Sequence, residues 1–216
     1  MRFEKKEQEV TASFDPGVEG NSIVVILQNP GKKEVQAHHP AAGKTGQNLH
    51  FLLAKLKDVN QKILCVPQND FAYSETEPQK GVMVVNACEE EGGSRSLPTS
   101  FDCGHVKFVA KQIKDKRLVL CFGKVVASFY DLIKGAQCAN RMNESQIVLK
   151  CCHLGMKALN RKIPNTVLDE QRFSGKNATE KRIDIVAQYL ISQLGNREKE
   201  KLSFECYLKC LNIIDL

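Results

Sequence analysis

An α/β fold built on a mostly parallel sheet, with helices on both faces, is what this sequence predicts on three observations. Four short runs are continuously apolar and rich in β-branched residues: 22–27 (SIVVIL), 82–86 (VMVVN), 117–122 (RLVLCF) and 146–152 (QIVLKCC). Strands buried on both faces read this way. Segments of helical periodicity stand between them. The resulting order, β-α-β-β-α-β-α-β-α, favours parallel strands joined by crossover helices in a three-layer α/β/α sandwich.

Each element has its own justification. The run 22–27 ends in Gln28-Asn29-Pro30-Gly31, where Pro30 and Gly31 stop the strand. After a loop through Pro40, residues 45–57 place Leu49, Leu52, Leu53 and Leu56 at helical spacing. Residues 62–66 form a short strand candidate, ahead of the stronger one at 82–86. Residues 101–114 read as a helix, 117–122 as a strand and 123–133 as the helix after it. Beyond the last strand, residues 179–194 carry Ile183, Val186, Ala187, Leu190, Ile191 and Leu194 on one face.

With 216 residues the chain holds one sizeable core, expected as a single domain over residues 1–196. The extension 197–216 alternates in charge and then turns apolar through Phe204, Tyr207, Leu208, Leu211, Ile213 and Ile214. It is expected to be helical and docked. In open parallel sheets ligands bind beyond the carboxyl ends of the strands, which directs attention to residues 28–31, Asn86 and His153.

Composition excludes several classes. Residues 1–10 are polar and charged, with no apolar core for a signal peptide. No run approaches the roughly 20 apolar residues that span a membrane. A soluble monomer is expected, cytoplasmic, or nuclear in a eukaryotic host. The nine cysteines are scattered and odd in number, so a complete disulfide framework is not expected. A net charge of +6 is compatible with a phosphate-backbone partner without being diagnostic of one.

Other motifs fail. Gly43-Lys44-Thr45 lacks the upstream glycine of a phosphate loop, since that position holds His38. Cys151-Cys152 and the pair Cys206 and Cys210 have no partners at zinc-ligand spacing, and His38 and His39 read as loop residues. No metal is expected.

Taken in order, the strand-end segments resemble the uracil-DNA glycosylase superfamily, as a divergent member with features of its mismatch-specific and iron–sulfur branches. Leu27-Gln28-Asn29-Pro30-Gly31 is similar to the superfamily's first motif; Asn-Pro-Gly occurs in the mismatch-specific branch, and Gln28 and Pro30 match the Gln-Asp-Pro of the uracil branch. Residues 40–49 (PAAGKTGQNL) resemble the Pro-Phe-x-Gly-Arg-x-Gly-x-x-Leu stretch of the iron–sulfur branch. Val84-Val85-Asn86-Ala87 ends a strand in the Asn that reads the uracil edge in the uracil branch. Residues 94–99 resemble an Asn-Arg-x-Pro segment, and residues 120–127 the Leu-Gly-x-x-Ala strand–helix junction. His153-Leu154-Gly155 stands where the superfamily has His-Pro-Ser. Cys88 and Cys103 are close to the spacing of the iron–sulfur branch's last two ligands, but no cysteine precedes Cys65. Two ligands cannot hold a four-iron cluster, so no cluster is expected and both thiols are expected to be buried.

The resemblance implies a monofunctional DNA glycosylase acting in base excision repair on uracil or a related deaminated or damaged base. DNA would be its partner. Asn29 would position water, His153 would stabilise the anionic base, and Gln28 would complete the catalytic group. Asn86, Pro30, Gly31, Ala41 and His39 would line the base pocket. Lys44 and Thr45, at a helix start, and Lys157 and Arg161, in a basic loop, would meet phosphates. Leu154, Met156 or Leu159 would insert into the vacated stack. Three positions depart from the pattern: Leu27 for Gly, Ala41 for the Phe that stacks on uracil, and Leu154-Gly155 for Pro-Ser. His38, His39 or Phe71 would then supply the stacking face. The alternative expectation is a non-catalytic nucleic-acid-binding protein on the same fold. A third, resting on the apolar tail, is an interaction protein or an enzyme acting on another nucleotide-like substrate.

Overall fold

A computed structural model of the chain describes residues 9–63, 66–74, 76–92, 101–137, 146–163, 168 and 177–195. Five strands form one sheet: β1 (Phe14–Asp15), β2 (Ile23–Leu27), β3 (Met83–Asn86), β4 (Leu118–Phe122) and β5 (Ile147–Cys151). The described helices are α1 (Lys32–Ala37), α2 (Lys44–Ile63), α3 (Cys103–Ile113), α4 (Lys124–Gln137), α5 (Met156–Lys162) and α6 (Ala178–Gly195), with a 3-10 turn at Gln68–Phe71. The strand order is β1-β3-β2-β4-β5. β2 to β5 run parallel, and β1 pairs antiparallel with β3.

The order follows from which strands lack a polar face. All residues of β2 and β4 are buried, whereas β5 alternates partly exposed positions and lies at an edge. Side-chain alternation splits β2 between two cores. Ile23, Val25 and Leu27 pack with Leu49, Leu52, Leu53 and Leu56 of α2 and with Ile183, Val186 and Leu190 of α6. Val24 and Ile26 pack with Val106, Val109 and Ile113 of α3 and with Val126, Phe129 and Ile133 of α4. Each such side chain, fully buried, contributes roughly 1.5–3 kcal/mol, so the two apolar layers dominate the favourable side of folding.

The long crossover helices place the following strands on opposite sides. From β2 the chain passes through α2 to β3 on one flank; from β4 it passes through α4 to β5 on the other. The carboxyl ends of β2 and β4 therefore flank a topological switch point. The opposite edge is closed by polar ties. Asp70 accepts from the Ser22 amide (2.7 Å), and its carbonyl accepts from Asn21 Nδ2 (3.1 Å). Lys116 Nζ donates to the Asn21 carbonyl at 2.6 Å.

The structure corrects the element reading in places. No strand begins at residue 62, because α2 continues to Ile63; neither glycine nor proline occurs between Gly46 and Pro67 to stop it. Residues 64 and 65 lie outside the described residues, as do 196–216 and with them the expected docked extension. α1 had no periodic signal, since it buries no residue; Gly31 starts it and His38 ends it in the left-handed region. Residues 157–162, read as a loop, are helical. No helix among the described residues is long and apolar enough to cross a membrane.

Adjacent positions on α2 separate core from surface. Leu52 is fully buried and Phe51 is 42% exposed. Urea unfolding should show Leu52→Ala losing about 2–5 kcal/mol, the range for a leucine cavity. Phe51→Ala should change stability by about 0.5 kcal/mol or less.

Candidate active site

Three strand ends meet at the switch point. Gly123 follows β4 with φ +116° and donates its amide to the Cys151 carbonyl at 2.9 Å. A Cβ built at Gly123 would stand 3.8 Å from His153 Cδ2 and 3.9 Å from Gln28 Oε1. Gln28 and His153, separated by most of the sequence, thus converge over one glycine. Only glycine adopts that φ without strain, and its bare α-carbon keeps the floor of the crevice low.

The His153 ring is held by its own loop. Its Nδ1 accepts from the Gly155 amide at 2.8 Å. An accepting Nδ1 carries no proton, so in the neutral ring the proton sits on Nε2 and that nitrogen is a donor. Burial pushes His153 below the usual histidine range, favouring the neutral form. Gly155 has little room to change, because an added Cβ would lie 3.0 Å from His153 Nδ1.

The loop is also tied from across the core. Asn48, 0% exposed on α2, donates through Nδ2 to the Leu154 carbonyl at 2.7 Å. Asn48 carries no expected role from the sequence. The available signal was a polar residue on the apolar stripe of α2, four positions before Leu52.

On the other flank, the turn after β2 is bonded to the segment after β3. The Cys88 amide donates to the Gln28 carbonyl (3.0 Å), and the Gly92 amide to the Pro30 carbonyl (3.2 Å). Asn29 Nδ2 donates to the Gly92 carbonyl (2.7 Å) and more weakly to Pro30 O (3.4 Å). Because both partners are carbonyls, the amide nitrogen must face them and Oδ1 faces away. Gly31 caps α1, its amide donating to Glu34 Oε2 at 3.1 Å.

Asn86 ends β3, opposite Leu27 in register and 1% exposed. Its Nδ2 donates to the Ala12 carbonyl at 3.3 Å, and its own carbonyl accepts from His105 Nε2 at 2.7 Å. Its Oδ1 is buried with no hydrogen-bond partner among the described residues. The donor-plus-acceptor role expected of Asn86 is therefore reduced here: the donor is committed to Ala12 and the acceptor remains.

Several expectations fail on position. Leu154 and Leu159 are fully buried in the α2–α6 core, so neither reaches a base stack from this conformation. The Met156 side chain lies outside the described residues. Phe71, also in that core, is the last residue of the 3-10 turn, which Asp70 ties to the amino end of β2, the edge away from His153. It offers no stacking face at the crevice. Ala41 is fully buried with φ +55°, in the left-handed region that costs an L-residue about 1–2 kcal/mol. His39 is buried with Nδ1 3.0 Å from the Pro40 carbonyl, which also accepts from Tyr73 Oη, whereas His38 is exposed. Cys88 is half-buried and Cys103 exposed, not the two buried thiols expected.

Exposed cations stand on the helices that follow the strand ends. Lys32 and Lys33 on α1, Lys44 at the start of α2, Lys124 at the start of α4, and Lys157 and Arg161 on α5 are all exposed. Lys44 Nζ donates to Gln47 Oε1 at 2.8 Å, and Thr45 beside it is half-buried. On the β3 flank, Glu89, Glu90 and Glu91 are exposed and give the opposite charge. Among the described residues, no group of three or more His, Cys, Asp or Glu is placed to hold a metal ion. The chain matches no protein-family model and no curated protein sequence.

Two measurements check this arrangement. Asn48→Ala leaves the buried Leu154 carbonyl without that donor and should cost about 1–3 kcal/mol in urea unfolding. Asn48→Asp, equal in shape but unable to donate when ionised, should cost at least as much. For His153, the unfolded chain protonates near the ordinary value of 6.5 while the folded chain resists. The stability from its neutral ring is therefore complete above about pH 6.5 and erodes as pH falls towards the folded-state value. His153→Gln should flatten that part of the stability–pH curve relative to the parent.

Proposed function

We propose that the chain is a DNA glycosylase with a uracil-DNA glycosylase-like fold, hydrolysing the N-glycosidic bond of a base rotated out of DNA. The observation that carries this reading is the convergence of Gln28 and His153 over Gly123, at the carboxyl edge where an open α/β sheet binds its ligand. The resemblance of the strand-end segments supplies the substrate class.

In this mechanism the bond between the sugar C1′ and the base nitrogen breaks, and its electron pair leaves with the base. Water oxygen bonds to C1′ and releases a proton, which through solvent neutralises the departing base anion. Charge develops in two places, positive on the sugar and negative on the base oxygen. A neutral His153 suits the second: its Nε2–H donates to the developing oxyanion from a partly desolvated position, without repelling an incoming cationic sugar. Asn29 Oδ1 faces away from its carbonyl partners and orients water. An amide is a poor general base, so it positions the nucleophile more than it deprotonates it. The Asn86 acceptor, buried and unpartnered among the described residues, would take an N–H from the base edge, which relieves the cost of leaving it unpaired. The exposed cations of α1, α2, α4 and α5 would follow the phosphates on one flank, with the Glu89–Glu91 side turned away from the backbone.

A second reading, a non-catalytic nucleic-acid-binding protein on the same fold, is favoured by two observations. Asn29 replaces the carboxylate of the uracil branch, and Ala41 is buried without a ring to stack on a base.

Abasic-site formation by the purified protein separates the two readings. Labelled DNA carrying uracil, hypoxanthine or mismatched thymine should be tested single- and double-stranded. A glycosylase should cleave at least one of these, and His153→Gln should lower kcat by about 10²–10³-fold, the usual cost of losing an oxyanion donor. Asn29→Ala should also lose cleavage. Binding without cleavage on any substrate would favour the second reading. For DNA binding under either reading, the double substitution Lys157→Ala with Arg161→Ala should reduce the slope of log K against log salt by about 1.8 on duplex DNA.

A further inference from the structure

Consecutive residues of a strand point to opposite faces. Cys151 closes β5 and Cys152 follows it, yet both sulfurs pack against the same core and their Sγ atoms stand 3.9 Å apart. Both side chains are half-buried rather than sealed in. The alternation breaks one residue before His153, so the two thiols and the ring share a short stretch of backbone.

We infer that Cys151 and Cys152 form a redox-sensitive dithiol that closes to a vicinal disulfide and, in closing, displaces His153. The oxidant is a low-molecular-weight disulfide. The thiolate of one cysteine attacks it and releases one small thiol, leaving a mixed disulfide on the protein. The second thiolate then attacks the protein-bound sulfur of that mixed disulfide and releases the other small thiol. Two cysteine thiols are oxidised, one small disulfide is reduced to two thiols, and both protons end on the released thiols.

The geometry sets the consequence. An S–S bond of about 2.05 Å requires the sulfurs to approach by nearly half their present separation. Their α-carbons, joined by one trans peptide, are about 3.8 Å apart, below the usual 4.4–6.8 Å span of a disulfide. The closed ring is therefore strained, which places it among the readily reduced, reversible disulfides. That strain falls on the peptide joining Cys151 to Cys152. The Cys151 carbonyl is the acceptor for the Gly123 amide at 2.9 Å, and Gly123 is the residue over which His153 meets Gln28. Turning the peptide loosens this bond and moves the ring one residue further on. Cys121, by contrast, is buried in the opposite core, where its thiol is pushed up to about 12, and it does not compete as a nucleophile.

The test uses the full chain titrated with oxidised glutathione, with peptide mass spectrometry and ¹⁵N NMR of the histidine rings. The parent should lose two hydrogens between Cys151 and Cys152, its His153 ring signals should shift, and dithiothreitol should restore both. His153→Gln assigns those signals. Cys151→Ser and Cys152→Ser should each retain a glutathione adduct on the remaining sulfur and never produce the disulfide-linked shift. Cys152→Ala serves the same purpose if serine is not tolerated. A persistent glutathione adduct at Cys151 or Cys152 of the parent, or ring closure that leaves the His153 signals unmoved, would overturn the inference. Neither readout uses catalysis, so the result is independent of whether the protein proves to be a glycosylase.

Discussion

The parallel pairing of β2 with β3 on one side and β4 on the other is the constraint on which the rest of the molecule depends. β2 is buried on both faces, so any slip of one residue would exchange its two sets of core contacts. With register locked, every parallel strand delivers its carboxyl end to one edge. Gln28, Asn86, Gly123 and His153 come together there because of that direction. The polar ties through Asp70 and Lys116 close the other edge.

What distinguishes this edge is that, among the described residues, the His153 ring has no charged partner in its hydrogen bonding. The Gly155 amide holds the His153 ring, the buried Asn48 side chain holds the Leu154 carbonyl beside it, and burial favours the neutral ring. A neutral donor in a partly dry site is worth more than the same donor in water, since solvent no longer competes for it. Glycine at 123 meets a backbone φ of +116°, and glycine at 155 leaves the space into which the ring fits. The Asn48 tie makes α2 part of the site although its side chain faces the core, and Leu154 anchors the same loop by packing.

Amide orientation gives the two asparagines different chemical characters. Asn29 and Asn86 each donate to a carbonyl, which fixes the nitrogen and leaves the oxygen as the group available for other work. Asn29 therefore presents an acceptor at the edge, whereas the Asn86 acceptor is buried. An acceptor can orient water or take an N–H from a base, but it cannot supply a second donor beside His153. Under the proposed glycosylase reading this gives one neutral donor and two acceptors held by backbone.

By itself the sequence determined the fold class, the four parallel strands and most of the long helices, because apolar periodicity is a local signal and burial on both faces leaves no polar alternation. It also determined which strand ends to examine, at Gln28, Asn86 and His153. Only tertiary structure decided that α2 runs on through residue 63, that Phe71 belongs to the opposite edge, and that Leu154 is core instead of a wedge. Those outcomes depend on which neighbours a residue meets, and spacing along the chain does not encode that. The short elements β1, α1 and α5 were not legible for a related reason, as two to seven residues do not complete enough periods to be read. The same holds for the site's supports. Asn48, Gly155 and the approach of Cys152 to Cys151 acquire meaning only when α2, β4 and β5 are brought together, since a hydrogen bond across 106 residues leaves no trace in local pattern.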